Sequence, residues 1–224
     1  PKDGTGKRLG PLVGYAGRYK DSAGQEKQWV GDIYMNCAVL EENIQELMQL
    51  TRRLNCLIRD HFNGKTFTLC GMPMGGLAIA TLLAEQSKAR YIFPGKKVTQ
   101  VASAESREIS VLDFSRHPVM PGENILLVED VLNNFSTTGQ AIDLIEKLGG
   151  KVIGIAGLVN RSLDHDHFFI HRGERGYPIV GLVRMPIYEY RQDDPKVAEE
   201  IERGNIVWKP KNEWPRLMAA MKDK

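Results

Sequence analysis

The stretch Asn124-Ile-Leu-Leu-Val-Glu-Asp-Val-Leu-Asn-Asn-Phe-Ser-Thr-Thr-Gly-Gln140 decides the fold of this chain. Its apolar first part is typical of a strand buried on both faces, and we expect that strand to span residues 124–129. An amphipathic helix is predicted over residues 138–148, with Gly149-Gly150 as its end. A buried strand joined by a loop to an amphipathic helix is the repeating unit of an α/β fold.

The same alternation recurs on both sides of this stretch. Apolar residues at helical spacing predict a helix over residues 41–61, with a buried stripe made of Ile44, Leu47, Met48, Leu54, Leu57 and Ile58. Further helices are predicted at 76–87, 195–203 and 213–222, and further strands at 67–71, 90–93, 151–159 and 179–183. The first 28 residues predict a loop or loose arm, and residues 96–122 have no sustained period. The sequence therefore predicts an α/β architecture with a mostly parallel sheet flanked by helices.

Composition and charge exclude several classes of protein. Hydrophobic residues make up 42% and charged residues 26%, which is ordinary globular usage and excludes collagen-like and disordered chains. The 30 basic residues nearly balance the 28 acidic ones, so charge gives no support for nucleic-acid binding. Three cysteines without a CxxC spacing favour neither a disulfide scaffold nor a zinc site. Because no apolar run approaches the roughly 20 residues that span a bilayer, and no signal peptide is visible, we expect a cytoplasmic protein without a membrane partner.

The loop after the central strand carries the groups that a phosphorylated sugar needs. The three hydroxyl residues at 136–138 can donate hydrogen bonds, and the start of the helix offers free N–H groups and a positive dipole end to a phosphate. Glu129 and Asp130 suit sugar hydroxyls, or a hydrated Mg²⁺ that carries a diphosphate. The alternative is that Thr137 and Gln140 form a capping box while the two acids are solvated loop residues.

The motifs around this loop resemble a known family. Val128-Glu-Asp-Val-Leu132 followed by Thr137-Thr-Gly139 resembles the signature of type I phosphoribosyltransferases, in which two acids precede a Thr-rich loop. Three further motifs make the chain most similar to orotate phosphoribosyltransferase, namely Asp32-Ile-Tyr-Met-Asn36, Gly71-Met-Pro-Met-Gly-Gly76 and Leu158-Val-Asn-Arg161. The resemblance covers roughly residues 30–190, and the tail from Tyr190 to Pro210 is also similar to that family.

The resemblance implies a reaction and an organisation. Ribose 5-phosphate would pass from 5-phosphoribosyl 1-pyrophosphate, bound with Mg²⁺, to a ring nitrogen of a nucleobase, with orotate giving orotidine 5'-phosphate for pyrimidine nucleotide biosynthesis. The chain would form a homodimer. It would contain an N-terminal arm or hood over 1–30, a phosphoribosyltransferase-like core domain over 31–190 and a C-terminal helical tail over 191–224.

The resemblance also implies roles for individual residues. Glu129 and Asp130 would contact the ribose hydroxyls, and Asp130 would also be catalytic and reach Mg²⁺ through water. Arg161 would lie near the base, where its planar guanidinium matches a carboxylate. The cradle for the 5-phosphate would consist of Ser136, Thr137, Thr138, Gly139 and Gln140, and the loop facing the pyrophosphate of Met72, Pro73, Met74, Gly75 and Gly76.

Residues 96–122 match the mobile hood of the family. Its catalytic cations, Lys96 and Lys97, would close over the pyrophosphate, often from the neighbouring subunit, and exclude water. Arg107, Arg116 and His117 are further basic groups of this segment. Taken alone, Lys96 and Lys97 could equally be solubilising charges, and Arg161 could be a surface residue in a salt bridge.

Three departures from the family pattern leave other functions open. Residues 133–136 are an insertion in the phosphate loop, residues 72–76 lack the usual Lys, and Gln100 stands where a cation is expected. A phosphoribosyltransferase for another base is the second hypothesis. The third is a non-catalytic regulator that binds a phosphoribosyl ligand with the same fold, although the retained acids and Thr137-Thr-Gly139 count against it.

Overall fold

The computed structural model describes residues 10–100, 109–173 and 175–222. The chain divides into two compact units, one formed by Cys37–Pro186 and the other by Pro1–Asn36 with Ile187–Lys224. In chain order the elements are β1 (Leu12–Lys20), β2 (Glu26–Gly31), α1 (Cys37–Glu42), α2 (Ile44–His61), β3 (Thr68–Gly71), α3 (Gly76–Ser87), β4 (Tyr91–Ile92), β5 (Gly95–Gln100), β6 (Ile109–Asp113), β7 (Asn124–Leu132), α4 (Ser136–Lys147), β8 (Lys151–Asn160), β9 (Phe168–His171), β10 (Arg175–Arg184), α5 (Ala198–Glu202), β11 (Ile206–Val207) and α6 (Trp214–Lys222). Among the described helices, none is both long enough and apolar enough to cross a membrane.

The larger unit is built on a six-stranded sheet with the order β4-β3-β7-β8-β10-β9. Neighbouring strands pair in parallel, except that β9 runs antiparallel to β10. This arrangement confirms the predicted α/β fold with a mostly parallel sheet. Strand β9 is not among the strands that the sequence predicts, and its pairing with β10 across a short turn is what makes it a strand.

The side chains of β7 alternate between two cores, one on each face of the sheet. Ile125 and Leu127 pack in the core that contains the apolar face of α4. Leu126 and Val128 pack in the core that contains the buried faces of α2 and α3. Because helices cover both faces, the strand is apolar at every position from 125 to 128, which is the pattern that the sequence analysis used.

The helix predicted over residues 41–61 is two helices in the structure. Helix α1 ends before Asn43, whose side chain caps α2 by accepting a hydrogen bond from the N–H of Glu46. Ile44 and Leu57 are 49% and 40% exposed, so their prediction as buried residues was wrong. The buried stripe follows a spacing of four, three and four residues that leaves these two aside, and it consists of Leu47, Thr51, Leu54 and Ile58.

The smaller unit contains a three-stranded sheet with the order β11-β1-β2. The prediction of a loop or loose arm over the first 28 residues was wrong from Leu12 onwards, because β1 pairs antiparallel with β2 and parallel with β11. Residues 1–9 lie outside the described residues. Leu12 and Val13 are buried in the two small cores of this unit. Strand β11 lies almost two hundred residues further along the chain, so local sequence gives no sign of this pairing.

The segment that shows no period in the sequence contains a hairpin. Strands β5 and β6 pair antiparallel from Gly95↔Asp113 to Gln100↔Ile109, and β6 contacts α4. Lys97 lies on β5 with an exposed side chain. Arg107 and the side chains of Lys96 and Gln100 lie outside the described residues.

Candidate active site

The carboxyl ends of β3, β7 and β8 bring the predicted site residues to one edge of the sheet. Strand β7 continues to Leu132, so Glu129 and Asp130 lie within it, and the expected strand end at residue 129 was wrong. The extension follows from pairing with β8, which continues as far as Leu132↔Asn160. Successive side chains of a strand point to opposite faces, so the two acids occupy different surroundings.

The loop between β3 and α3 is fastened to β7 and closes on Asp130. The N–H of Met72 donates to the carbonyl of Val128 at 2.9 Å. A Cβ at Gly75 would lie 2.3 Å from Oδ2 of Asp130, and a Cβ at Gly76 would lie 2.0 Å from the carbonyl oxygen of Val128. Only glycine fits at these two positions, since any side chain would meet the acid or the strand backbone.

Asp130 is held by two further groups of the same unit. The N–H of Val131 donates to Oδ1 of Asp130 at 2.8 Å. The thiol of Cys37, at the start of α1, donates a hydrogen bond to the carboxylate. Burial and then the charge of Asp130 raise the pKa of Cys37 to about 12, so the thiol keeps its proton and remains a donor. The sequence analysis missed Cys37, although its position directly after the motif at 32–36 was a usable signal.

Glu129 lies beside Asp130 on β7, and its carboxyl has a raised pKa. Burial and then the adjacent charge of Asp130 raise the pKa of Glu129 to about 8. Cys70 is buried on β3, and burial followed by the charges of Glu129 and Glu123 raises the pKa of its thiol. A cation or a set of hydroxyl donors beside Glu129 would favour its ionised form.

Helix α4 begins two residues earlier than predicted and without a side-chain cap. Its N-cap residue is Phe135, in a left-handed conformation with φ 55, so Thr137 lies inside the first turn and does not form a capping box with Gln140. The carbonyl of Phe135 accepts from the N–H of Gly139 at 2.8 Å. The N–H of Ser136 donates to Oδ1 of Asn134 at 3.1 Å. The N–H groups of residues 137 and 138 precede the first intrahelical bond and can donate to an anion, and Ser136 and Thr137 are exposed beside them.

Of the residues predicted as an insertion in the phosphate loop, Phe135 packs in the core, whereas Asn134 and Ser136 are exposed. Phe135 is 4% exposed, and its ring stacks on that of Phe169 at a centroid distance of 4.7 Å. A Cβ at Gly139 would lie 2.9 Å from Cε1 of His171, whose Nε2 is 2.7 Å from Oδ1 of Asp143. The first turn of α4 is therefore packed against strand β9.

Arg161 follows β8 at the same edge of the sheet. Its N–H donates to the carbonyl of Leu132 at 2.9 Å, and the residue is 6% exposed. The interpretation of Arg161 as a residue of the protein surface was therefore wrong. The loop after it, residues 161–167, folds back over the buried Asn160 through hydrogen bonds.

The cations of the predicted hood are not brought to the acids by the described contacts. Lys97 lies on the hairpin opposite Val111. The ring of His117 packs on Phe93 at 4.4 Å, and the guanidinium of Arg116 lies over the same ring at 5.9 Å.

On the loop that faces the pyrophosphate in the prediction, Pro73 and Met74 are joined by a cis peptide, and Met74 is 75% exposed.

A cavity of about 1140 Å³ lies at the opposite edge of the sheet. Thr68 and Asn124, the first residues of β3 and β7, contribute to its lining. None of the residues predicted to bind the donor or the base lines this cavity.

A family model described as "Phosphoribosyl transferase domain" matches residues 40–167, which is more than half of the chain. The orotate phosphoribosyltransferase of Caldanaerobacter subterraneus subsp. tengcongensis is 27% identical over 173 residues, which cover 75% of this chain and 78% of that protein. The orotate phosphoribosyltransferase of Sulfurovum sp. is 32% identical over 130 residues, which cover 58% of this chain and 59% of that protein.

Solved structures of similar fold come from enzymes that act on different bases. Orotate phosphoribosyltransferase from Aeropyrum pernix has a TM-score of 0.51 at 16% identity, covering 76% of this chain and 87% of that chain. Adenine phosphoribosyltransferase from Thermoanaerobacter pseudethanolicus also has a TM-score of 0.51 at 16% identity, covering 75% of this chain and 94% of that chain. At this level of identity the structural likeness concerns the fold alone.

Proposed function

Because this chain belongs to the phosphoribosyltransferase family, we propose that it transfers ribose 5-phosphate from 5-phosphoribosyl 1-pyrophosphate to orotate. The observation that carries the proposal is the convergence of the glycine loop, the acid pair, the open helix start and a buried arginine at one sheet edge. The curated relatives named as orotate phosphoribosyltransferases support orotate as the base. Family membership in a group of enzymes also argues against the purely regulatory alternative.

The donor would lie across the carboxyl ends of β7 and β8. The first turn of α4 would receive the 5-phosphate through the N–H groups of residues 137 and 138, with the hydroxyls of Ser136 and Thr137 as further donors. The carboxyls of Glu129 and Asp130 would accept hydrogen bonds from the two ribose hydroxyls. The close contact between Gly75 and Asp130 would then place the pyrophosphate loop directly beside the sugar.

The residues fit a magnesium ion that arrives with the donor. Within the described residues, no three His, Cys, Asp or Glu side chains gather in a way that could hold a metal ion. Asp130 is a carboxylate at the sheet edge, and its charge would face a hydrated ion that is held mainly by the donor's phosphates. Bound there, Mg²⁺ would offset the charge that develops on the departing pyrophosphate.

Transfer breaks the bond between C1 of the ribose and the pyrophosphate oxygen and forms a bond from C1 to the ring nitrogen of orotate, which loses its proton. The ribose gains positive character as the leaving group departs, and the carboxylate of Asp130 would stabilise that character from the hydroxyl side. Arg161 would hold the carboxylate of orotate through its planar guanidinium, so that the ring nitrogen faces C1.

We also propose that the chain acts as a homodimer in which Lys96 and Lys97 of the hood reach the pyrophosphate in the neighbouring subunit. Lys97 is exposed on a hairpin, which suits contact with an anion beyond its own subunit. The test mixes Lys97→Ala with Asp130→Asn after each has been shown to be impaired. Partial recovery of activity supports the shared site, and no recovery contradicts it.

The base is tested by incubating the protein with Mg²⁺, the donor and a panel of bases while pyrophosphate release is followed. Orotate is expected to be used, and Asp130→Asn is expected to bind the donor at least tenfold more weakly, about 1.4 kcal/mol, since it keeps the shape and loses the charge. The loop at 72–76, which lacks the usual Lys, motivates the second candidate, a phosphoribosyltransferase for another base. If the protein uses adenine or another base and does not use orotate, the second candidate is correct and the proposal for orotate is wrong.

A further inference from the structure

Asn160 is the last residue of β8, and its buried side chain makes hydrogen bonds to the loop that follows. It is 1% exposed. Its Nδ2 donates to the carbonyls of His165 and Asp166 at 2.8 and 3.0 Å, and its Oδ1 accepts from the N–H of Ser162 at 3.1 Å. Residues 161–167, the base loop, therefore fold around the side-chain amide of Asn160. Buried hydrogen-bonding groups without partners are costly, so this side chain specifies the conformation of the base loop.

Arg184 fastens the base loop from the neighbouring strand. It ends β10 and stands in register with Asn160. Its Nε donates to Oδ1 of Asp166 at 2.7 Å, and its Nη1 donates to the carbonyl of Asn160 at 3.1 Å. The fork geometry of the guanidinium holds the strand end and the base loop at once, which a lysine could not reproduce.

The base loop also contacts the start of helix α4. The ring of His165 lies edge-on to those of Phe135 and Phe169, at 5.2 Å from each. Phe135 belongs to the four residues that depart from the family pattern, and its carbonyl opens the first turn of α4. The departure from the family pattern thus supplies an aromatic support for the base loop.

We propose that Asn160 and Arg184 are positioning residues for base recognition, which hold the base loop in the conformation that lets Arg161 receive an anionic base. The inference rests on the proposed function for the role of Arg161. Neither positioning residue needs to touch the base. An arginine whose backbone is already fixed loses less conformational freedom on binding, so its contact with the base carboxylate is stronger.

The test compares Arg184→Ala, Arg184→Lys and Asn160→Ser with the wild-type protein. The KM for the base that the enzyme uses is expected to rise about tenfold in Arg184→Ala, which corresponds to about 1.4 kcal/mol, with Arg184→Lys between it and the wild type. Donor affinity by calorimetry is expected to stay within twofold. Arg203→Ala is the matched control, because its partner Glu199 lies on the surface helix α5 of the other unit.

Hydrogen exchange without ligand provides the readout that does not depend on activity. The amides of Ser162 and His165, which are bonded to Asn160 and to Ser162 respectively, are expected to exchange faster in the variants than in the wild type. Unchanged exchange, or a donor affinity that falls as much as the base KM rises, would overturn the inference. If the wild type uses no anionic base, the proposed function fails, while the exchange data still decide whether the two residues fix the loop.

Discussion

The carboxylate of Asp130 occupies the space in which a side chain on Gly75 would lie. A Cβ on Gly75 would lie 2.3 Å from both Cγ and Oδ2 of Asp130 and 2.6 Å from Oδ1. Two residues separated by more than fifty positions thus form one surface, with the glycine loop after β3 on one side and the acid of β7 on the other.

Gly75→Ala is expected to push the carboxylate of Asp130 aside and weaken binding of the donor with Mg²⁺ about tenfold, or about 1.4 kcal/mol. The backbone at Gly75 has φ −68, which alanine adopts freely, so the effect is steric. Calorimetry measures it. Gly176→Ala is the control, because its Cβ would meet its nearest neighbour at 3.6 Å, an ordinary contact. Unchanged donor affinity in Gly75→Ala would show that the position of the Asp130 carboxylate does not matter for donor binding.

Cys37→Ala is expected to weaken donor binding a few-fold, in line with the loss of one hydrogen bond of about 0.5–1.5 kcal/mol. The thiol holds the carboxylate of Asp130, so its removal lets the acid rotate. Cys37→Ser keeps a donor and is expected to restore most of the affinity. Cys56→Ala, at an exposed cysteine of α2, serves as the control. A serine variant no better than the alanine variant would contradict this role of the thiol.

Glu129→Gln is expected to flatten the pH dependence of stability. Between about 4.5 and about 8 the folded protein keeps on Glu129 a proton that the unfolded chain has released. The folded state binds more protons in that window, so this group's contribution makes the free energy of unfolding fall as the pH rises. Glutamine mimics the protonated acid and has no such decline. Denaturant unfolding at pH 5 and pH 8 measures the difference, and parallel pH profiles for both proteins would contradict the raised pKa.

Arg161→Ala is expected to lower the catalytic efficiency with orotate by roughly 2–4 kcal/mol, because a charge-assisted pair of hydrogen bonds to a carboxylate is lost. Arg161→Lys keeps the charge without the planar fork and is expected to retain only part of the catalytic efficiency that Arg161→Ala loses. Donor affinity should change little. Steady-state kinetics and calorimetry on each variant give the two quantities, and a loss of donor binding with intact use of orotate would assign the residue another role.

Local pattern was sufficient for the central layers of the fold. The strand at 125–128 is visible in the sequence because both of its faces are buried and every position is apolar. The helices after β3 and β7 are visible because each buries one periodic face. The same periodicity did not place β1 and β2, which pair with each other across a short turn, and β1 also pairs with β11 near the other end of the chain. Strand pairing over such distances leaves no local signature.

By itself the sequence placed Glu129, Asp130 and the hydroxyl loop near the end of one buried strand and Arg161 at the end of another, and so predicted that these groups meet at one edge of a parallel sheet. The tertiary structure alone decided how these groups are held there. Pairing with β8 keeps the acids inside β7, the packing of Phe135 on Phe169 brings one residue of the predicted insertion into the core, and Cys37 and Gly75 close around Asp130. The physical reason is that the order of residues fixes which groups share an edge, whereas contacts between distant segments fix their distances and protonation.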